Sequence, residues 1–235
     1  MKKKIIALVC CREGSKGIPN KNIKIFHGKP LLYWTYNNIK KSKIFDEIYL
    51  STDGKKISKL GLRLGFKIPH LRPKKLAKDN SDVFKTHNFF FKKIQIRDSN
   101  SLVCIINNNP FINSSLIQKS FRIFKKSKFT KIVMGAIPID KDQIFFRQMK
   151  KIKDYLVPKY KKELIQSNIN RIDSKIYYNV GDLRWGKPSW LTNYKNFNKR
   201  LSKDGFNFFE IDKNFYHDIN LPNEWMAAIK KFKNL

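Results

Sequence analysis

Carboxylates are scarce in this chain: 18 Asp and Glu stand against 50 Lys and Arg, a formal net charge of +32. A surface this basic suits polyanions such as nucleic acid, anionic lipid or phosphate-rich substrates. The distribution argues against a nucleic-acid reader. The cations are overwhelmingly Lys, scattered in singles and pairs, whereas base recognition favours the planar fork of Arg. Together with abundant Asn, Ile and Phe, they match the codon bias of an AT-rich genome. Cysteine is nearly absent. Cys10 and Cys11 are neighbours, which excludes an ordinary disulfide or a spaced metal pair between them. Cys10 and Cys104 fall in apolar runs and read as core residues, and a reducing, cytoplasmic setting fits. The four histidines, His27, His70, His87 and His217, lack zinc spacing. His87 sits on an apolar helical stripe and reads as core. No apolar run approaches the roughly 18 residues of a membrane span. The start, Met1-Lys2-Lys3-Lys4 and then Ile5 to Cys11, is short for a signal peptide. It runs into Arg12-Glu13 without a small-residue cleavage site, so it reads as a first core strand. Internal repeats and low-complexity linkers are also missing, which leaves one main domain over residues 1–235.

What the chain does have is enough apolar residue, 41% with 14% aromatic, for a real core. Strand and helix patterns alternate through the first half. Ile5 to Cys11 is a continuous apolar run, the mark of a strand buried on both faces. Pro30 opens a helix through about Ser42. Glu47 to Ser51 is the next strand. Ile57, Leu60 and Leu64 share a helical face that Gly65 ends. Val83, His87, Phe90 and Ile94 form another stripe. Leu102 to Ile106 is a buried strand, Ile117, Phe121 and Phe124 mark a helix, and Ile132 to Ile137 a further strand. This rhythm predicts an α/β fold with a doubly wound, mostly parallel sheet. Residues 139–175 are polar, Lys-rich and poorly periodic, and suit a small inserted arm. Strands are expected again at Ile176 to Val180 and Phe206 to Ile211. A closing helix starts near Pro222, with Trp225, Ile229 and Phe232 on one face.

In open α/β sheets ligands sit beyond the carboxyl ends of the strands. The segment from Arg12 to Asn22, REGSKGIPNKN, leaves the first strand there. It carries Gly14 and Gly17, whose bare backbone can approach an anion, and three cations, Arg12, Lys16 and Lys21. It is neither a Walker A loop nor a GxGxxG loop. By its residues alone it is a phosphate cradle or a solvated basic turn.

This segment resembles the R-x-G-S-K-G-[IVL]-x-x-K-N-[IL] signature of the CMP-sialic acid synthetase family. Gly28-Lys29-Pro30-Leu31-Leu32 is similar to its G-K-P-L-[IL] element. Phe45 to Asp53 is similar to its F-D-x-[IV]-x-[VL]-S-[ST]-D strand. Leu71-Arg72-Pro73, Leu76-Ala77 and Asp79 follow its L-R-P-x-x-L-A-x-D loop. Tyr177 to Gly186 and Asp218 to Trp225 resemble stretches of pseudaminic acid cytidylyltransferases. The centre, residues 111–175, matches weakly.

The resemblance implies a nucleotidyltransferase fold with a dimerisation insertion, for which 139–175 is the candidate, and a homodimer. It implies transfer of CMP from CTP to the anomeric hydroxyl of a nine-carbon acidic sugar, with pyrophosphate leaving and Mg2+ as cofactor. Pseudaminic acid leads, ahead of legionaminic and N-acetylneuraminic acid, for glycosylation of surface glycans or flagellin. Such catalysis rests on in-line positioning and charge neutralisation. The lack of a Ser/His/Asp or Cys/His constellation agrees. Arg12 and Lys21 are implied to hold the triphosphate with help from Lys16, Gly14, Ser15 and Gly17. Asn22, Arg72 and Ser81 are implied at the nucleoside. Tyr177 and Trp185 either wall the sugar pocket or belong to the core.

Two positions depart from the family. Its D-x-D metal pair reads Asp218 and Asn220 here, so the second carboxylate is gone. Asp218 alone can anchor one ion through CTP phosphates, with weaker affinity or with help from Asp212 or Glu224. Its Q-x-T-S-P loop reads Ile106-Asn107-Asn108-Asn109-Pro110, without the Gln. A catalytically weakened, nucleotide-binding relative is therefore the rival to an enzyme.

Overall fold

A computed structural model describes residues 2–78, 80–138, 149–152, 155–158, 177–213 and 216–233. Its centre is β1 (Lys4–Cys10), with β4 (Glu47–Ser51) on one side and β5 (Ser101–Ile106) on the other, both parallel to it. Side chains alternate across this sheet with period two. Ala7, Val9, Cys104 and Ile106 face one apolar layer. Ile6, Leu8, Val103 and Ile105 face the other. The continuous apolar runs follow from burial on both faces.

The first layer is covered by α1 (Leu31–Ser42), α2 (Lys55–Leu64) and α4 (Ser114–Lys126), through residues such as Leu32, Ile57 and Phe124. Gly65 ends α2 in the left-handed region, φ 107°, with its N–H bonded to the carbonyls of Gly61 and Leu62. The second layer is covered by α3 (Val83–Lys93) and α5 (Tyr194–Asp204), through Phe90, Phe91 and Phe197. The sequence pattern missed α5, whose apolar positions are sparse: Tyr194, Phe197 and Leu201.

The sheet continues through β6 (Val133–Pro138), β9 (Tyr177–Gly186) and β10 (Asn207–Glu210) in the order β10-β6-β9-β5-β1-β4. β10 is parallel to β6. β9 runs antiparallel between β5 and β6, so the sheet is mixed but mostly parallel, as expected. Two short hairpins form separately: β2 (Ile25–Phe26) with β3 (Lys29–Pro30), and β7 (Met149–Ile152) with β8 (Tyr155–Pro158). The arm expected at 139–175 lies outside the described residues apart from β7 and β8. No helix among the described residues is long and apolar enough to cross a membrane.

Helix α6 (Pro222–Phe232) returns to the start of the chain. Its Trp225 and Ala228 pack with Ile18, Phe26, Leu31, Phe111 and Ile219 in a third apolar cluster. This packing fastens the C-terminal segment against the loop that follows β1.

His87 lies in the second layer, as its stripe predicted, and is 1% exposed. Its Nδ1–H donates to the Leu191 carbonyl at 2.9 Å, and Nε2 is buried without a partner. Burial outweighs that hydrogen bond and pulls the ring down to about 4. The folded value lies below the unfolded one, so the stabilisation is complete above the ordinary histidine value of ~6.5. It is lost as pH falls from there toward 4, about 3 kcal/mol over the whole window. Thermal unfolding followed at pH values across this window should show a steep loss for the wild type and a flatter one for His87→Gln. Parallel curves would contradict the assignment.

Candidate active site

The carboxyl ends of β1 and β5 open onto a cavity of about 390 Å³. One wall is the loop after β1, which contributes Arg12, Ser15, Lys16, Gly17, Lys21 and Asn22. Facing it is the segment before α6, with Asp218, Ile219 and Asn220. The walls touch. Lys21 Nζ donates to the Ile219 carbonyl at 2.6 Å. Gly17 approaches so closely that a Cβ there would stand 1.9 Å from the Asn220 carbonyl oxygen. This is a physical reason for glycine at position 17.

The remaining walls are Asn107–Asn109 and Asp182. Asp182 owes its place to a bulge. β9 pairs with β6 at Val180 and again at Arg184, leaving Gly181, Asp182 and Leu183 unpaired on that side. The carboxylate so projected is 8% exposed. Its Oδ1 accepts from Asn107 Nδ2 at 2.8 Å. Its Oδ2 accepts from Asn109 Nδ2 at 2.7 Å and from the Tyr216 hydroxyl at 2.5 Å. Asn109 Nδ2 also reaches the His217 carbonyl. Asp182 therefore ties the C-terminal segment to the sheet just ahead of Asp218.

Asp218 Oδ1 accepts from the Ile219 N–H, and Oδ2 accepts from Asn220 Nδ2 at 2.7 Å. Glu224, weighed as a further ligand, is engaged elsewhere: its Oε2 accepts the N–H groups of Asn220 and Leu221 and caps α6. Among the described residues no group of three or more His, Cys, Asp or Glu is placed to hold a metal ion. Three cations, Arg12, Lys16 and Lys21, share the cavity with two carboxylates, Asp182 and Asp218. The lining is net positive and favours a polyanion.

The structure thus brings together Arg12, Ser15, Lys16, Gly17, Lys21, Asn22, Asp218 and Asn220. Gly14, Arg72, Ser81 and Trp185 are not among the lining residues. Gly14 is outside the lining, and a Cβ at that position would meet nothing within 4 Å. Arg72 is buried with its guanidinium turned inward, Nη2 donating to the Ser51 carbonyl at 3.1 Å. Ser81 donates to the Lys75 carbonyl at an exposed turn. Tyr177 opens β9, and its side chain is outside the described set.

Trp185 requires a correction. It does not wall the pocket. It is 0% exposed, stacks on Phe45 and Phe124, and donates Nε1–H to Ser120 Oγ at 2.8 Å. Strand alternation turns it into the first apolar layer, away from the cavity. Cys10 is half-buried: it packs against the second apolar layer and also lines the cavity, while Cys11 is fully buried. Burial raises both thiols, Cys11 to about 12, so neither is an activated nucleophile.

The mixed sheet, the glycine-bearing basic loop and the strand-end cavity define an α/β protein with a polyanion-binding site at the strand ends. Residues 6–210 match the family model described as Cytidylyltransferase. The chain belongs to the cytidylyltransferase family. It is 32% identical over 130 residues to the pseudaminic acid cytidylyltransferase of Campylobacter jejuni, covering 54% of this chain and 56% of that protein. It is 33% identical over 138 residues to the CMP-N,N'-diacetyllegionaminic acid synthase of Legionella pneumophila, covering 58% and 59%. The matched region spans only about half the length of these curated relatives. The solved structure of CMP:2-keto-3-deoxy-manno-octonic acid synthetase complexed with CTP shares the fold. Its TM-score is 0.75, at 14% identity and 99% coverage of both chains.

Proposed function

We propose that this chain transfers CMP from CTP to the anomeric hydroxyl of a nine-carbon, sialic-acid-like sugar, with pseudaminic acid the leading acceptor. The observation that carries this reading is the meeting of Arg12, Lys16 and Lys21 with Asp218 across one strand-end cavity. A triphosphate needs several cations, and the transferring phosphorus needs its developing charge neutralised. Arg12 and Lys21 hold the triphosphate, with Lys16 assisting, and Ser15 and Gly17 offer hydroxyl and backbone. Lys21, fixed to the Ile219 carbonyl, stands between the phosphate wall and the acidic segment. The sugar hydroxyl attacks the α-phosphorus, and pyrophosphate leaves in line.

Asp218 fits a magnesium ion as the single carboxylate that such a site needs when phosphates and water supply the other oxygens. Asn220 adds an amide, which in this structure donates to Asp218. The ion, when bound, supplies charge neutralisation at the phosphates. The second copy expected in a homodimer would meet the chain through the 139–175 region.

Pyrophosphate release measured with CTP, magnesium and a panel of nonulosonic acids tests the proposal. Turnover is expected with at least one acid, pseudaminic acid first. A pocket separates close analogues by only ~1–3 kcal/mol per small group, so weaker turnover of neighbours is also expected. CTP binding without turnover on any acid would favour the nucleotide-binding relative. No affinity for CTP under any metal condition would remove both readings.

A further inference from the structure

Helix α1 buries a face of Leu31, Leu32, Thr35, Ile39 and Ser42. The two hydroxyls on that face behave differently. Ser42 donates back to the Ile39 carbonyl within its own helix, the usual outlet for a helical serine. Thr35, 1% exposed, donates instead across 73 residues of sequence to Asn108 Oδ1 at 2.7 Å. Asn108 Nδ2 donates to Asn22 Oδ1 at 2.9 Å, and Asn22 Nδ2 donates to the Arg12 carbonyl at 2.9 Å. Four groups on three elements form one chain of hydrogen bonds.

Its direction is forced. A backbone carbonyl only accepts, so Asn22 must turn its amide N–H toward Arg12. That leaves the Asn22 oxygen facing Asn108, which must then present its own N–H. The Asn108 oxygen consequently faces Thr35, and the hydroxyl must donate. An amide in either opposite orientation would set two acceptors or two donors against each other. The Arg12 carbonyl therefore sets the orientation of both asparagines, and the buried Thr35 hydroxyl completes the chain as its terminal donor. Asn22 is 6% exposed. Its amide thus makes one bond through the oxygen and one through an N–H, with the second N–H still available to a ligand.

We propose that Thr35 and Asn108 are positioning residues that hold the loop from Arg12 to Asn22 in the conformation that receives a triphosphate. The inference rests on the CTP reading for its ligand, but not for its geometry. Thr35 is outside the cavity lining, whereas Asn108 lines it with its oxygen and one N–H committed to the chain. Both act through Asn22 and the Arg12 backbone. Chained hydrogen bonds in a low-dielectric setting reinforce one another, so loss of the terminal donor is felt along the whole chain.

The experiment compares Thr35→Val, Thr35→Ser and Asn108→Ala with the wild type by amide hydrogen exchange, without ligand, and by CTP titration. Valine keeps the shape and removes the donor, and serine restores the donor. Thr35→Val and Asn108→Ala should speed exchange in residues 12–22 by about tenfold and weaken CTP binding by a similar factor, the loss of one buried hydrogen bond. Exchange in β4 should be unchanged. Thr35→Ser should behave as wild type. In turnover, Thr35→Val should raise KM for CTP and leave kcat within about threefold. Unchanged loop exchange in Thr35→Val, or a Thr35→Ser variant as impaired as valine, overturns the proposal. If valine prevents folding, Asn108→Ala carries the same comparison. A wild type that ignores CTP sinks the functional reading, while the exchange data still decide the relay.

Discussion

Replacing Asp218 by asparagine should cut turnover by about 10²–10³-fold, the scale seen when a charge-stabilising group is lost. The exchange preserves size, and the amide oxygen can still accept from the Ile219 N–H, as Asp218 Oδ1 now does. The melting temperature should therefore hold. CTP affinity measured without divalent ion should stay within about threefold, or improve, because a carboxylate near a triphosphate is repulsive until a cation intervenes. Asn220→Ala should be far milder, within about tenfold, because the side chain it removes donates Nδ2–H to Asp218 and the backbone bond to Glu224 is kept. Steady-state pyrophosphate release over a magnesium series reads both variants. Full turnover in Asp218→Asn would move the metal away from this segment, and a dead Asn220→Ala would show that the amide is a ligand in its own right.

The parts of the site carried by short, local motifs are legible in the sequence. The stretch from Arg12 to Asn22 encodes its chemistry in consecutive residues, and its place after an apolar strand follows from β1 alone. Asp218 was legible by resemblance. Asp182 was not, because its position depends on the unpaired stretch of β9 beside β6, a long-range pairing. The available signal was a Gly-Asp pair, Gly181-Asp182, inside an otherwise strand-like run. Glycine within a strand often marks a bulge. The asparagine loop failed to stand out for a similar reason. Asn107, Asn108 and Asn109 read as a turn, and only tertiary contact shows that the first and third serve Asp182 while the middle one serves Asn22. For Trp185 the sequence leaves pocket wall and core both open. Its conspicuous place in a motif drew it toward the sugar, whereas the register Cys104↔Trp185 on β5 and Val133↔Trp185 on β6 sets it in the core.

The same locality gives a sharp contrast between two glycines that the motif alone treats alike. Gly17→Ala should lower turnover by at least about 10²-fold, as misplacement of about 1 Å at a reacting centre does. Gly14→Ala should stay within about threefold. Neither glycine occupies the left-handed region, so backbone strain does not separate them. Space does. A methyl at Gly14 meets nothing within 4 Å, whereas one at Gly17 meets the Asn220 carbonyl oxygen at 1.9 Å and its carbon at 3.1 Å. Those are backbone atoms, which cannot rotate aside as a side chain can. The loop or the 218–220 segment must retreat, and either movement pulls Lys21 from the Ile219 carbonyl and widens the gap between the cations and Asp218. The expected signature is a fall in kcat with a lowered thermal midpoint, because Ile18 beside Gly17 and Ile219 beside Asn220 are both buried in the third apolar cluster. Equal activities for the two variants, measured by pyrophosphate release at saturating CTP, would mean that the walls need not meet for the reaction to proceed.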